Sequence, residues 1–355
     1  MSRIAVVATV LAAGLLPSAS AIAKAPAARV IALDIPAPRD SAGGIVATDL
    51  NADARPDFLV TVPGHVAAYD NSGRKLWIVK TDVMVGGQSE SNGLPGHHGP
   101  GVAAGDVDGD GRAEVVLLTK SGRLLVLDGA TGKQKGTARP PAPEGAQRWE
   151  VAMLADFRGT GGDGDVLLQA TNRNGYRTGR YLAAYRYEDL LAGRKPLWTT
   201  ARFVSCAHNS ARLADLDGDG RDEVLGATIF SPEGKLLARA AEFRGHMDSV
   251  FVADVQPDLP GLEVVLLEEG SNHVQVLGVK GPVWRKHYSK QEPQNAAVGR
   301  FKPGSDETFV WCRSRYNEHQ RPFVFDFHGR KVFDYKMDDV APKGWTASGV
   351  EVIHT

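Results

Sequence analysis

Apolar and polar residues alternate in short runs along most of the chain, and the runs come in a fixed order. An alternating stretch ends on an aspartate, acidic or asparagine residues follow two apart, and a more continuous apolar run then opens on Asp or Glu. GVAAGDVDGDGRAEVVLL from Gly101 and ARLADLDGDGRDEVLGA from Ala211 carry the pattern in full, and IVATDLNADARPDFLV from Ile45 is an eroded copy. Weaker copies are VAMLADFRGTGGDGDVLLQA, VFVADVQPDLPGLEVVLLEE and AAVGRFKPGSDETFVWC. Their anchors, Asp49, Asp106, Asp156, Asp215, Asp254 and Arg300, recur at about 40 to 60 residues, the length of a four-stranded propeller blade. Each unit continues with a second alternating run such as RLLVLD or HVQVLG, a glycine turn, and a last run often holding Trp: KLWIVK, PLWTT, PVWRKH. Four short strands per unit follow from this period of two, with one short helix expected near Glu188 to Ala192. Trp77, Trp198 and Trp284 are expected to pack between blades rather than to serve as ligand platforms.

The chain is therefore expected to be all-β, a β-propeller of seven blades with the last one incomplete. Six units are full. GVEVIHT at the end reads as the first strand of a seventh blade, and RVIALDI, ahead of the first unit, as an outer strand that closes it. The middle strands of that blade are missing, which would leave open sheet edges, so the chain is expected to be truncated at its C-terminus. Arg3, the apolar run Ile4 to Leu16, Pro17 and the small residues up to Ala23 read as a signal peptide over 1–23. The remainder, 24–355, is expected to be a single propeller domain, secreted or periplasmic. The apolar run is shorter than the ~20 residues of a membrane-spanning helix, so no membrane partner is expected.

A formal net charge of −1 with no long block of one sign gives no footprint for a nucleic-acid backbone. Cys206 and Cys312 are the two cysteines, too few for a disulfide framework. A monomer held together by packing and metal is the expectation.

In the loop from Asp106, carboxylates at Asp108, Asp110 and Glu114 and the carbonyl of Arg112 can curl around one hard cation, which suits Ca2+. Asp215, Asp217, Asp219, Arg221 and Glu223 repeat the arrangement, and Asp49, Asn51, Asp53 and Asp57 form the eroded version. An EF-hand places its last acid three positions later and between helices, so it is rejected. The competing reading is a metal-free Asp/Gly turn held by side-chain to backbone hydrogen bonds.

If these loops leave the innermost strands at one end of the propeller, the residues just before those strands gather at the other end, beside the axis. They are His97 and His98, Arg148 and Trp149, Cys206, His208 and Asn209, His246 and Asp248, Gln294 and Asn295, and Trp345. Two long loops expected at the same end carry Arg173, Tyr176, Arg177 and Arg180, and Arg313, Arg315, Tyr316, Glu318 and His319. Polar loops hold histidines for ordinary hydrogen bonding, yet His, Tyr and Arg together suit β-elimination from a uronate. Arg neutralises the carboxylate, a base takes the adjacent proton, and an acid protonates the leaving oxygen. His98, His208 and His246 are candidate bases, Tyr176 and Tyr316 candidate acids, and Arg173 and Arg315 candidate neutralisers. His97, Trp149, Asn209, Asp248 and Asn295 are candidate substrate contacts. Cys206 and His208 form a C-x-H pair that His246 or His97 could complete as a zinc (Zn2+) site, but two ligands are weak evidence; a free buried thiol is the preferred reading and a Cys206–Cys312 bridge is also open.

HNSARLADLDGDGRDEVLGA followed by RGHMDSVFVADVQPDLPGLEVVLLEE resembles consecutive blades of rhamnogalacturonan lyase-type propellers. The match covers about sixty residues, a little more than one blade length, with looser similarity elsewhere. The resemblance implies a calcium-bearing propeller that cleaves a rhamnose- and uronate-containing anionic polysaccharide, with His208, Asn209, His246 and Asp248 the best matched positions. The paired histidines of the compact lyases of this kind have no clear counterpart around His98. A non-catalytic propeller of the FG-GAP kind, binding glycan or protein, is the alternative, and a quinone-dependent dehydrogenase a distant third resting on GATGK at Gly129–Lys133.

Overall fold

The structure is a computed structural model. It describes residues 30–37, 43–85, 101–144, 148–171, 178–204, 210–242, 247–268, 271–287, 293–300, 307–314 and 323–334. The chain divides into two compact units, 1–32 and 33–355. The signal-peptide reading and the GVEVIHT segment lie outside the described residues.

Among the described residues of the second unit, six four-stranded sheets follow one another, each an antiparallel meander in chain order. The first holds β1 (Gly44–Thr48), β2 (Asp57–Val62), β3 (His65–Tyr69) and β4 (Lys75–Lys80). The second holds β5 (Val102–Gly105), β6 (Glu114–Leu118), β7 (Leu124–Asp128) and β8 (Gln134–Ala138). The third holds β9 (Trp149–Ala155), β10 (Asp165–Thr171), β11 (Thr178–Arg186) and β12 (Trp198–Thr200), with α1 (Tyr187–Leu191) between the last two. The fourth holds β13 (Arg212–Ala214), β14 (Glu223–Leu225), β15 (Thr228–Phe230) and β16 (Leu236–Arg239). The fifth holds β17 (Met247–Ala253), β18 (Glu263–Glu268), β19 (His273–Gly278) and β20 (Gly281–His287). The sixth holds β21 (Pro293–Gly299), β22 (Phe309–Ser314), β23 (Phe323–Asp326) and β24 (Lys331–Asp334).

These sheets are propeller blades. A meander buried on both faces reads as a continuous apolar run, and β6 (EVVLL) and β18 (EVVLLE) are buried at every position. Five apolar cores fill the spaces between successive blades. The core between blades one and two, for instance, joins Leu59, Val66 and Trp77 to Val115, Leu117 and Leu127. Cys312 lies buried in the core between blades five and six.

The outer-strand tryptophans act between blades, as their alternating context predicts. Trp77 Nε1 donates to Gly129 O of blade two (2.7 Å), Trp198 Nε1 to Pro232 O of blade four (2.7 Å), and Trp284 Nε1 to Phe327 O of blade six (3.0 Å). The short helix falls where it was expected.

RVIALDI departs from expectation. Residues 30–35 form no strand. Alternation suits a strand, but a strand needs a partner edge, and here the Asp34 carbonyl and carboxylate are both taken by Lys75 Nζ while Ile35 packs on the face of blade one.

Candidate functional site

At one end of the blades, the loop joining the first two strands is built the same way in blades one to four. The first aspartate accepts backbone N–H groups four and five residues on. Asp106 takes Asp110 (3.1 Å) and Gly111 (2.8 Å), Asp215 takes Asp219 and Gly220, Asp156 takes Thr160 and Gly161, and Asp49 takes Asp53 and Ala54. The acid opening the second strand accepts the N–H of the residue after that aspartate: Glu114 from Val107, Glu223 from Leu216, Asp165 from Phe157, Asp57 from Leu50, Glu263 from Val255. These five acids are buried. Side-chain to backbone bonding thus explains the loop shape in every blade that has it, with or without a cation.

Two loops go further. Asp106, Asp108 and Glu114, and again Asp215, Asp217 and Glu223, bring carboxylate oxygens within 4.8 Å of one another; among the described residues no other group of acidic, His or Cys side chains does so. The eroded loop keeps the turn but not the convergence, since Asp57 and Asp53 are turned to the Asn71 N–H and Nδ2 groups.

The two triads differ electrostatically. Among the described residues no cationic side chain lies within bonding distance of Glu223, and burial together with Asp217, Asp219 and Asp215 pushes its carboxyl up to about 7. Its donors are hard oxygens with a surplus of negative charge, which fits a divalent cation. Glu114, also raised by burial, receives Lys135 Nζ at 2.6 Å, and the same ammonium lies 2.7 Å from Asp108 and 3.5 Å from Asp110. A cleft of about 870 Å³ opens beside this loop, lined by Asp106, Asp108, Arg158, Asp163, Tyr187 and Glu188.

At the opposite end, where innermost strands begin, most expected site residues lie outside the described residues: His97, His98, Arg173, Tyr176, Cys206, His208, Asn209, His246, Arg315 and Tyr316. Asp248 and Asn295 belong to β17 and β21, described as backbone. Trp149, expected as a substrate contact, is instead buried in the core between blades two and three, its Nε1 donating to Pro141 O (3.1 Å). The neighbour that sequence reasoning passed over is Glu150. It is buried, burial pushes its carboxyl up to about 7, and Oε1 accepts no hydrogen bond; Arg148 Nη2 stands 4.0 Å away. A β-bulge in the pairing with β10 places it, a signal no residue pattern carries. On blade five, Arg285 joins Glu268 (3.4 Å), Ser271 (3.4 Å), His273 (3.0 Å) and Glu242 of blade four (3.2 Å), and burial and Arg285 lower the pKa of His273.

The FG-GAP-like repeat family matches residues 49–117. The chain is 27% identical over 251 residues to rhamnogalacturonan endolyase YesW of Bacillus subtilis, covering 58% of this chain and 38% of that protein. It is 25% identical over 277 residues to rhamnogalacturonan exolyase YesX of the same organism, covering 64% and 44%. The chain thus spans about two fifths of the length of the curated relatives it matches. Among solved structures it is similar to the Vibrio cholerae biofilm matrix protein Bap1, at TM-score 0.47 and 20% identity, covering 73% of this chain and 41% of that one.

Proposed function

We propose that this chain is the propeller of an exported polysaccharide lyase that cleaves a rhamnose- and uronate-containing anionic polymer by β-elimination, with Ca2+ held structurally in the Asp215 loop. The observation that carries the reading is the similarity to two rhamnogalacturonan lyases over more than half of this chain. The chemistry needs a cationic group at the uronate carboxylate, a base at the neighbouring carbon-bound proton and an acid at the leaving oxygen. The C–H and C–O bonds break, and the electron pair of the C–H bond forms the double bond of the unsaturated product. Arg173 and Arg315 are assigned the first role, His98, His208 or His246 the second, and Tyr176 or Tyr316 the third, with His97, Asn209, Asp248 and Asn295 contacting sugar hydroxyls. No helix among the described residues is long and apolar enough to cross a membrane.

The test is the ultraviolet absorbance of an unsaturated uronate after incubation with pectin backbone, ulvan or rhamnose–glucuronan. His98→Ala, His208→Ala and Tyr176→Phe are assayed on the cleaved polymer, and loss of the true base lowers turnover on the order of a hundredfold at an unchanged melting temperature. Full activity in all three overturns the site assignment. A second reading, a non-catalytic FG-GAP-type module binding glycan, is favoured by the FG-GAP-like repeat match over 49–117, and absence of cleavage with retained polymer binding would select it.

A further inference from the structure

In five of the six described blades the loop between the first and second strands buries an acid, and a buried carboxylate needs a counter-charge. In blade three the chain supplies it: Arg158 Nε reaches Asp165 at 2.8 Å, and Arg158 stands two residues after Asp156, where the full loops have Asp108 and Asp217. In blade two the counter-charge is Lys135, contributed by the outer strand of the same sheet.

The position of Lys135 is unusual among the blades. In five of them the outer strand bulges by one residue just after the glycine turn, because the pairing shifts there. The extra residue is Leu76 in blade one, Leu237 in blade four, Val283 in blade five and Val332 in blade six; in blade two it is Lys135. Leu237 is therefore the counterpart of Lys135 in the sheet that carries the other full DxDGDG loop. The strand that carries the lysine is also packed from outside. Leu191 of α1 packs where a Cβ on Gly136 would stand, 3.0 Å away, and Tyr187 is buried beside Glu114 and Asp108.

We propose that Lys135 is the resident cation of the Asp106 loop, so that the two full DxDGDG motifs divide their roles: the first is closed by the chain's own ammonium, and the second takes the divalent ion. This rests on the calcium reading of the Asp215 loop given above. An ammonium hydrogen-bonded to Asp108 and Glu114 occupies the space a metal ion would need between them, and its tether gives it a high effective concentration against free ions.

The test uses the full chain freed of metal and titrated with calcium by calorimetry, with terbium luminescence as a second probe. Wild type binds one calcium, Asp217→Ala removes it, and Asp108→Ala leaves it in place. Lys135→Met gains a second calcium, and in chelator its melting temperature falls below wild type and is restored by calcium. Should Lys135→Met fold poorly, the pair Glu114→Gln and Lys135→Met supplies the answer. If the two groups are each other's counter-charge, the double variant is more stable than the sum of the single effects allows. Two calcium ions in wild type, or an unchanged stoichiometry and melting temperature in Lys135→Met together with strict additivity, overturn the assignment of Lys135. No calcium in wild type but one in Lys135→Met overturns the reading of the Asp215 loop and supports that of Lys135.

Discussion

The indole of Trp198 on blade three lies so close to Gly234 on blade four that a Cβ built on the glycine would stand 2.6 Å from the ring. Gly132 meets Trp77 at the same 2.6 Å, and Gly329 meets Trp284 at 2.8 Å. These glycines also hold positive φ, 76° at Gly234 and 67° at Gly132. Gly234→Ala therefore adds a left-handed alanine, which costs about 1–2 kcal/mol, to an overpacked ring, which costs about 1–3 kcal/mol. We expect a loss of roughly 2–5 kcal/mol, read as a lower denaturant midpoint at unchanged m-value.

Ala52 and Ala54 give the opposite sign. They hold φ of 61° and 62° in the eroded loop, at the positions of Gly109 and Gly111 in the full one. Ala52→Gly and Ala54→Gly are each expected to raise stability by about 1 kcal/mol, since glycine adopts this region without strain. Equal or lower melting temperatures would show that the alanines are not strained.

Glu150 links stability to pH. Its carboxyl is raised to about 7 in the fold against an ordinary 4.5, so the native state holds a proton that the unfolded chain has already released. Stability is therefore expected to fall as pH rises between about 4.5 and 7, by up to about 3 kcal/mol for this group. With calcium present throughout, Glu150→Gln should flatten that slope. A variant with the wild-type profile would place the titration elsewhere.

Chelation is expected to lower the melting temperature of the wild type, and calcium to restore it, because a ligand bound only to the folded state stabilises by mass action, about 2.7 kcal/mol at a hundred times its Kd. Asp217→Ala should erase the response. A melting curve indifferent to excess chelator would leave the Asp215 loop a metal-free turn.

The repeat, the four-strand unit, the helix at α1 and the packing role of the tryptophans were legible because each is a local pattern at a short period. Glu150 was not, since a bulge turns it inward within an otherwise ordinary strand. Lys135 was not, since it is 21 residues from Glu114 and only sheet register brings the two together. RVIALDI misled because alternation describes a strand's faces and says nothing of the edge it needs. Trp149 misled because proximity to a strand's start was taken as exposure.

The tryptophan contacts join blade one to two, three to four and five to six, each time from an odd blade to the even one that follows. The junctions between are closed differently, by α1 against β8 and by Arg285 reaching Glu242. The structural repeat is thus a couplet, two sheets long, although the sequence motif recurs once per sheet. A protein engineer shortening or permuting this chain has natural seams in the linkers after β8 and after β16, where a cut leaves Trp77, Trp198 and Trp284 each with its glycine.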